Sequence, residues 1–381
     1  MNGRPVWAEV SRSKLLDNFR LLHSLAAPAE LLAVVKANAY GHGTVACSRA
    51  LAASGARWLG VTSVEEGVAV RAACPEVGIL AMGGLWPGEA DAALAHGLTP
   101  VVWEAAHVEE AARPGVALAV HLEIDTGMSR QGVQAAELPR LLDKLKKLPW
   151  LRVDGVLTHF HSPEMLDSLA TKEQFAKFAT AMDMIYGHGL RPRWIHAGNS
   201  TSLLCPGPDA LVKLAEKYGA KAMLRPGLAL YGYAPRWTGG AGPDFADKLR
   251  PVLEWKSRVT SLHAIEPGET AGYCATFRAE RRTRLALLPV GYADGLSRML
   301  SNRGAVLVRG HRAPIAGRVS MDLTIVDVTD VPGVSIGDEA VLIGVQGAES
   351  ISAYDQADIA GTIPYEIVCN INARVPRVLV D

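Results

Sequence analysis

Leu31-Leu32-Ala33-Val34-Val35-Lys36-Ala37-Asn38-Ala39-Tyr40-Gly41-His42-Gly43 is an apolar run that stops at a lysine and gives way to a glycine-punctuated turn. An amine at the mouth of a β-strand, partly withdrawn from water, has its charged form disfavoured and becomes available as a Schiff-base nucleophile. An exposed lysine at a strand end is the competing reading. The residues after Lys36 favour chemistry: Gly41 and Gly43 allow a tight turn and a close backbone approach to a ligand. Tyr40 adds a hydroxyl suited to phosphate.

Working outward, short apolar runs alternate with longer segments of helical period as far as residue 235, the pattern of βα units and a parallel sheet. The strand candidates are Leu31–Lys36, Trp58–Ser63, Val77–Gly83, Thr99–Glu104, Ala117–Asp125, Val153–Phe160, Arg193–Ser200 and Ala222–Gly227. Helices are expected at Val64–Ala73, Ala135–Leu148, Lys172–Tyr186 and Ser202–Lys217. The natural closure is a (β/α)8 TIM barrel, the α/β class, which gathers the C-terminal strand ends into one bowl. Lys36, Asp125, Arg130, His159, Asn199, Ser200, Arg225 and Gly227 all sit at or just after such ends.

The stretch Trp237-Thr238-Gly239-Gly240-Ala241-Gly242-Pro243 reads as a linker. From Pro251 the helical period disappears and short strands such as Arg284–Pro289, Ala305–Val308, Leu323–Val328 and Glu339–Ile343 are divided by Gly, Asp and Pro turns. The reading is a barrel over residues 1–235 and a mostly-β domain over 236–381. Val6–Val10 alternates in hydropathy ahead of a helix capped by Ser11 or Ser13, so residues 1–10 are open to pairing with the second domain instead of the barrel.

The 381 residues carry 39 basic and 39 acidic side chains, so no broad basic field exists for nucleic acid or an anionic membrane. The substrate is expected to be small. No apolar run is long enough to span a bilayer, and Glu9 interrupts the place of a signal peptide's apolar stretch. Cys47, Cys74, Cys205, Cys274 and Cys369 are scattered and odd in number, which points to reduced thiols in a cytoplasmic protein without a disulfide frame or metal site.

The loops after strands seven and eight of a barrel commonly bind phosphate through backbone N–H groups. Here they carry Asn199-Ser200-Thr201 and Arg225-Pro226-Gly227-Leu228. Ser200 alone is ordinary turn chemistry, but with Lys36 and Tyr40 a phosphorylated aldehyde cofactor accounts for the whole set. His159 either faces the cofactor ring, tethers Arg225, or is a satisfied histidine at a barrel end. Gly272-Tyr273-Cys274-Ala275-Thr276-Phe277 places a tyrosine between small residues, either accessible on a loop or packed into the β domain.

The chain resembles the alanine racemases over essentially its whole length. The matching segments are Val35–Gly43, His121–Gly132, Thr158-His159-Phe160, His196–Ser200, Arg225–Gly232, Gly272–Phe277, Pro289–Gly295, Gly317–Leu323 and Gly361–Ile367. The resemblance implies pyridoxal 5'-phosphate held on Lys36, with Lys36 and Tyr273 as the two bases that exchange a proton on opposite faces of the substrate. It implies that Tyr40, Ser200, Gly227, Leu228 and Tyr365 hold the phosphate. It places Arg130 by the substrate carboxylate and the cofactor's phenolate oxygen, the Met321 N–H by that carboxylate, and Tyr292 at a narrow entrance, with Tyr365 helping to limit side-chain size. It further implies a homodimer in which Tyr273 comes from the second subunit. A ring nitrogen facing Arg225, which does not give up its proton, stays unprotonated and makes the cofactor a weaker electron sink, favouring racemisation over decarboxylation.

Three positions depart from the family pattern. Glu123 stands where a carbamylated lysine is common and is expected to supply negative charge near Arg130. Cys274 replaces a glycine and Pro364 an asparagine. The alternatives are a serine or broader amino-acid racemase, a non-catalytic pyridoxal-phosphate barrel, a decarboxylase of related architecture, and a Schiff-base aldolase without cofactor.

Overall fold

A computed structural model describes residues 3–112, 117–166, 168–240, 242–243 and 247–381, so Ala241 of the expected linker lies outside the described residues. The chain forms two compact units. One comprises Lys14–Ala39 and Thr44–Arg250, the other Met1–Ser13, Tyr40–Gly43 and Pro251–Asp381.

The first unit is a closed parallel barrel of Glu30–Val34, Trp58–Val61, Gly78–Ala81, Thr99–Val102, Leu118–Glu123, Leu151–Leu157, Trp194–His196 and Lys221–Leu224. Closure is made by Glu30 and Leu31 lying opposite Met223 and Leu224. Strands buried on both faces must be apolar throughout, and Leu32, Leu59, Ile79, Val101, Val120, Val156 and Ile195 are fully buried. Each contributes about 1.5–3 kcal/mol by leaving water.

The surrounding helices show why they form. Leu138–Lys146 buries Leu138, Leu141, Leu142 and Leu145, one stripe at i, i+3, i+4 and i+7. Val64–Ala73 begins where the Ser63 hydroxyl accepts from the Glu66 N–H, and Glu65 and Glu66 oppose the positive end of its dipole. The helix expected over Ser202–Lys217 is instead two, Ser200–Leu204 and Asp209–Lys217, because Pro206 and Pro208 cannot donate to a continuous ladder.

The second unit is mostly β. Its seven-stranded sheet runs His311–Pro314, Ala305–Val308, Glu339–Gln346, Leu253–Arg258, Val6–Ser11, Arg377–Val380, with Glu349–Ile351 beside Glu339–Gln346. Val6–Ser11 is antiparallel to Leu253–Arg258 and parallel to Arg377–Val380. A three-stranded sheet joins Ser261–Ile265, Thr283–Leu288 and Thr324–Asp327. Helical period does not vanish from this part of the chain: Ala353–Ala360 and Pro364–Cys369 are helices, the former opened by a capping box of Ser352 and Asp355. Among the described residues no helix is long and apolar enough to cross a membrane.

Candidate active site

Lys36 follows the first barrel strand, half-buried, and the backbone beyond it turns left-handed. Ala37, Asn38 and Ala39 have φ/ψ of 52/53°, 54/44° and 53/51°, and Tyr40 has φ 51°. Left-handed helical backbone costs L-residues about 1–2 kcal/mol each, so neighbouring groups must hold it. Glu66 does so from the next βα unit, its carboxylate accepting from the Ala37 N–H at 2.8 Å and the Thr62 N–H at 2.7 Å. Asn38 Oδ1 accepts from the Thr44 N–H, and the Val35 carbonyl accepts from Thr44 Oγ1 and the Ala39 N–H.

At the last strand ends Ser200 Oγ accepts from the N–H groups of Gly227 (3.0 Å) and Ala229 (3.2 Å). Both lone pairs are occupied, which leaves the hydroxyl proton to donate. Asn199 caps Ser200–Leu204, its Oδ1 accepting from Thr201 and Ser202. Leu228 is buried at the start of a short 3-10 turn.

Arg225 is buried, with Nη2 donating to the Thr158 carbonyl at 2.8 Å and Nη1 3.3 Å from His196 Nδ1. Burial pulls its pKa down to about 10, so it remains a cation at neutral pH. His196, not His159, is therefore its histidine tether. Burial, then Arg225, Arg130 and Lys36, push His159 down to about 3 and keep its ring neutral. Arg130 is exposed beyond a turn built by Asp125 Oδ1, which accepts from the Gly127 and Ser129 N–H groups. All of these groups belong to the barrel unit.

The β unit carries the remainder. Tyr40 lies with its ring 6.3 Å from that of Tyr365, and burial first, then Tyr365 and Cys369, raise its phenol above the usual value. Gly41 packs so closely that an added Cβ would lie 2.0 Å from the Val368 carbonyl oxygen, while that residue's own carbonyl accepts from Arg377 Nε. Tyr273 is 70% exposed, on a turn where Gly272, Cys274 and Ala275 all have positive φ. Tyr292 and Met321 are brought together by N–H bonds from Tyr292 to the Ser320 carbonyl and from Ala293 to the Met321 carbonyl. Beneath them Asp294 accepts from Arg4, Arg374 and the Gly291 N–H, its side chain wholly out of water. Among the described residues nothing accepts from the Met321 N–H.

The family described as "Alanine racemase, N-terminal domain" matches residues 10–235, and "Alanine racemase, C-terminal domain" matches residues 252–379. The chain belongs to the alanine racemase family. An alanine racemase from Symbiobacterium thermophilum is 42% identical over 378 residues, covering 98% of this chain and 97% of that protein. The structure of the alanine racemase from Streptomyces coelicolor A3(2) superposes with a TM-score of 0.89 at 36% identity, covering 99% of this chain and 98% of that one. That from Bartonella henselae, described as having covalently bound pyridoxal phosphate, superposes with a TM-score of 0.85 at 28% identity, covering 99% of this chain and 100% of that one. The activity class is accordingly that of an amino-acid racemase.

The departures from the alanine racemase pattern each have a local account. Glu123, buried, takes its hydrogen bond from Gln131 Nε2 at 2.6 Å and not from Arg130; Gln131 also donates to the Met82 carbonyl, which fixes its amide orientation. Burial raises the Glu123 pKa, against the pull of Gln131, Arg225 and Arg130. Cys274 has φ 60°, a left-handed position that glycine fills without strain. Pro364 is the first residue of its helix, where the missing N–H costs nothing. Glu66, Gln131 and His196 are the supporting residues that motif reading leaves unassigned.

Proposed function

We propose that the chain interconverts L- and D-alanine by two-base proton transfer between Lys36 and Tyr273, with pyridoxal 5'-phosphate as cofactor. The observation that carries this reading is Arg225: a buried, permanently charged guanidinium anchored at the same strand ends as Lys36 and Ser200. The residues fit the cofactor, because Ser200 has a proton left to donate and Arg225 has donors left over after Thr158 and His196. When bound, pyridoxal phosphate acidifies the substrate's α-hydrogen by withdrawing electrons from the α-carbon.

The chain's own groups then divide the work. Lys36 exchanges a proton on one face of the α-carbon, and the Tyr273 phenol exchanges it on the other. Tyr40, Ser200, Gly227, Leu228 and Tyr365 would hold the phosphate, and Asn199 caps the turn that carries Ser200. His159, neutral, would stand beside the cofactor without adding charge. Arg225 would keep the cofactor's ring nitrogen from taking up a proton, which favours return of the hydrogen over other bond cleavages. Arg130 and the Met321 N–H receive the substrate carboxylate, while Tyr292 and Tyr365 restrict side-chain size.

The exposure of Tyr273, Tyr292, Met321 and Leu323 on the β unit supports a homodimer in which Tyr273 completes the partner's site. The setting is the cytoplasm, with D-alanine supplied for peptidoglycan. The test is racemisation of a panel of L-amino acids with and without added pyridoxal phosphate. Alanine is expected first and serine second; no racemisation of alanine in the presence of cofactor would overturn the reading.

A further inference from the structure

Inside the barrel a chain of hydrogen bonds continues past Arg225. His196 Nε2 lies 2.8 Å from His121 Nδ1, both rings fully buried and nearly perpendicular at 76°. A guanidinium can only donate, so His196 Nδ1, facing Arg225, must accept. In a neutral ring the proton then resides on Nε2 and donates to His121 Nδ1. His121 in turn must carry its own proton on Nε2, a buried atom without a hydrogen-bond partner among the described residues. Arg225 at one end and His121 at the other together set the direction of the chain, because a proton on His196 Nε2 left without its acceptor would cost about as much as the bond at Nδ1 gains.

The pocket is shaped around this second histidine. His121 lies opposite Gly155 in the neighbouring strand, and a Cβ on Gly155 would lie 2.7 Å from three atoms of the imidazole. The Trp58 ring lies 5.9 Å away. Burial, then Arg225 and Arg193, push His121 down to about 3, and burial, His121 and Arg225 lower His196 as well, so neither ring competes for a second proton at neutral pH.

We propose that His121 is a positioning residue: by accepting from His196 Nε2 it locks the tautomer whose bare Nδ1 orients Arg225. The proposal rests on the reading that Arg225 faces the cofactor. Without an acceptor at His121, a proton on His196 Nδ1 would confront the Arg225 N–H, and the guanidinium would lose that tether while keeping Thr158.

The experiment uses full-length protein labelled with [15N]histidine. In the wild type, His196 is expected to show a bare Nδ1 and a protonated Nε2 across the neutral range, with a through-bond coupling between its Nε2 and His121 Nδ1. His121→Leu is expected to introduce the Nδ1–H form of His196 and to lower kcat on L-alanine roughly tenfold, the scale of one hydrogen bond to a charged group. His121→Asn, whose Oδ1 can accept where Nδ1 did, should restore both the tautomer and turnover. A wild-type His196 protonated on Nδ1, or no coupling to His121, overturns the proposal even if His121→Leu fails to fold. Unchanged turnover in a folded His121→Leu variant with a disturbed tautomer also overturns it. Failure of the underlying functional reading would appear separately, as a wild type that does not racemise alanine.

Discussion

Replacing Gly41 by alanine puts a methyl group into the backbone of Pro364–Cys369. Its Cβ would lie 2.0 Å from the Val368 oxygen and 2.9 Å from the Val368 carbon, at φ +83°. The left-handed backbone alone costs alanine about 1–2 kcal/mol. Relieving the clash moves main chain, adding about 1–3 kcal/mol by the scale of overpacked cores. Gly43→Ala is the matched control, because φ is +100° and the nearest atoms, on the Arg377 side chain, are 3.9 Å away, leaving the backbone cost alone. At about 2–4 °C per kcal/mol, Gly41→Ala should lower Tm by about 4–20 °C and Gly43→Ala by about 2–8 °C. Because Val368 shares its helix with Tyr365, whose ring faces Tyr40, Gly41→Ala should also weaken pyridoxal-phosphate binding more than the control. Calorimetric unfolding and equilibrium cofactor binding on both variants decide the matter. Equal shifts in the two would refute the claim that Val368 limits this turn.

Lys36→Ala should abolish turnover and the visible absorption of lysine-attached cofactor; an unchanged spectrum would remove Lys36 from its assigned role. Mixing Lys36→Ala with Tyr273→Phe should restore about a quarter of the wild-type rate per chain if sites are shared in a symmetric dimer with random exchange, and nothing if each site lies within one chain. Burial favours protonation of Asp294, but Arg4, the Gly291 N–H and Arg374 outweigh it and hold the carboxyl below 3.8. Its stabilisation is therefore complete above that pH and lost as pH falls through the lowered value, so Tm of Asp294→Asn should approach that of the wild type only in acid. Glu123 is the opposite case: its raised pKa means stability present below 4.5 is lost as pH climbs through the folded value. The Tm of Glu123→Gln should gain on the wild type over that rise, and parallel pH curves would contradict it.

The barrel strands are legible because a strand buried on both faces must be written in apolar residues, and Trp58–Val61 or Leu118–Glu123 differ from the sequence reading only at their ends. The turn after Lys36 is legible from Gly41 and Gly43, but its left-handed course through Ala37-Asn38-Ala39 is not, since alanine carries no preference for positive φ. Glu66 shows why motif reading falls short: its role is set by a hydrogen bond across βα units, which no local spacing encodes. His121 carried a usable signal, a polar side chain inside a run otherwise apolar, where burial demands a partner. Ser352 and Asp355 likewise signalled the helix that the β-rich reading of the C-terminal region passes over.

The route of the chain bears on how this protein can be dissected. Residues 1–13 and 40–43 group with the β unit, and the chain passes from one unit to the other four times before it ends. A cut at Arg250 therefore does not separate two autonomous modules. A fragment beginning at Pro251 lacks the strand that lies between Leu253–Arg258 and Arg377–Val380, and exposes both edges where Val6–Ser11 belonged. Chimeras between homologues should exchange the N-terminal strand, the Tyr40–Gly43 turn and the β unit together, since a swap at a single junction would leave each unit with another protein's missing piece.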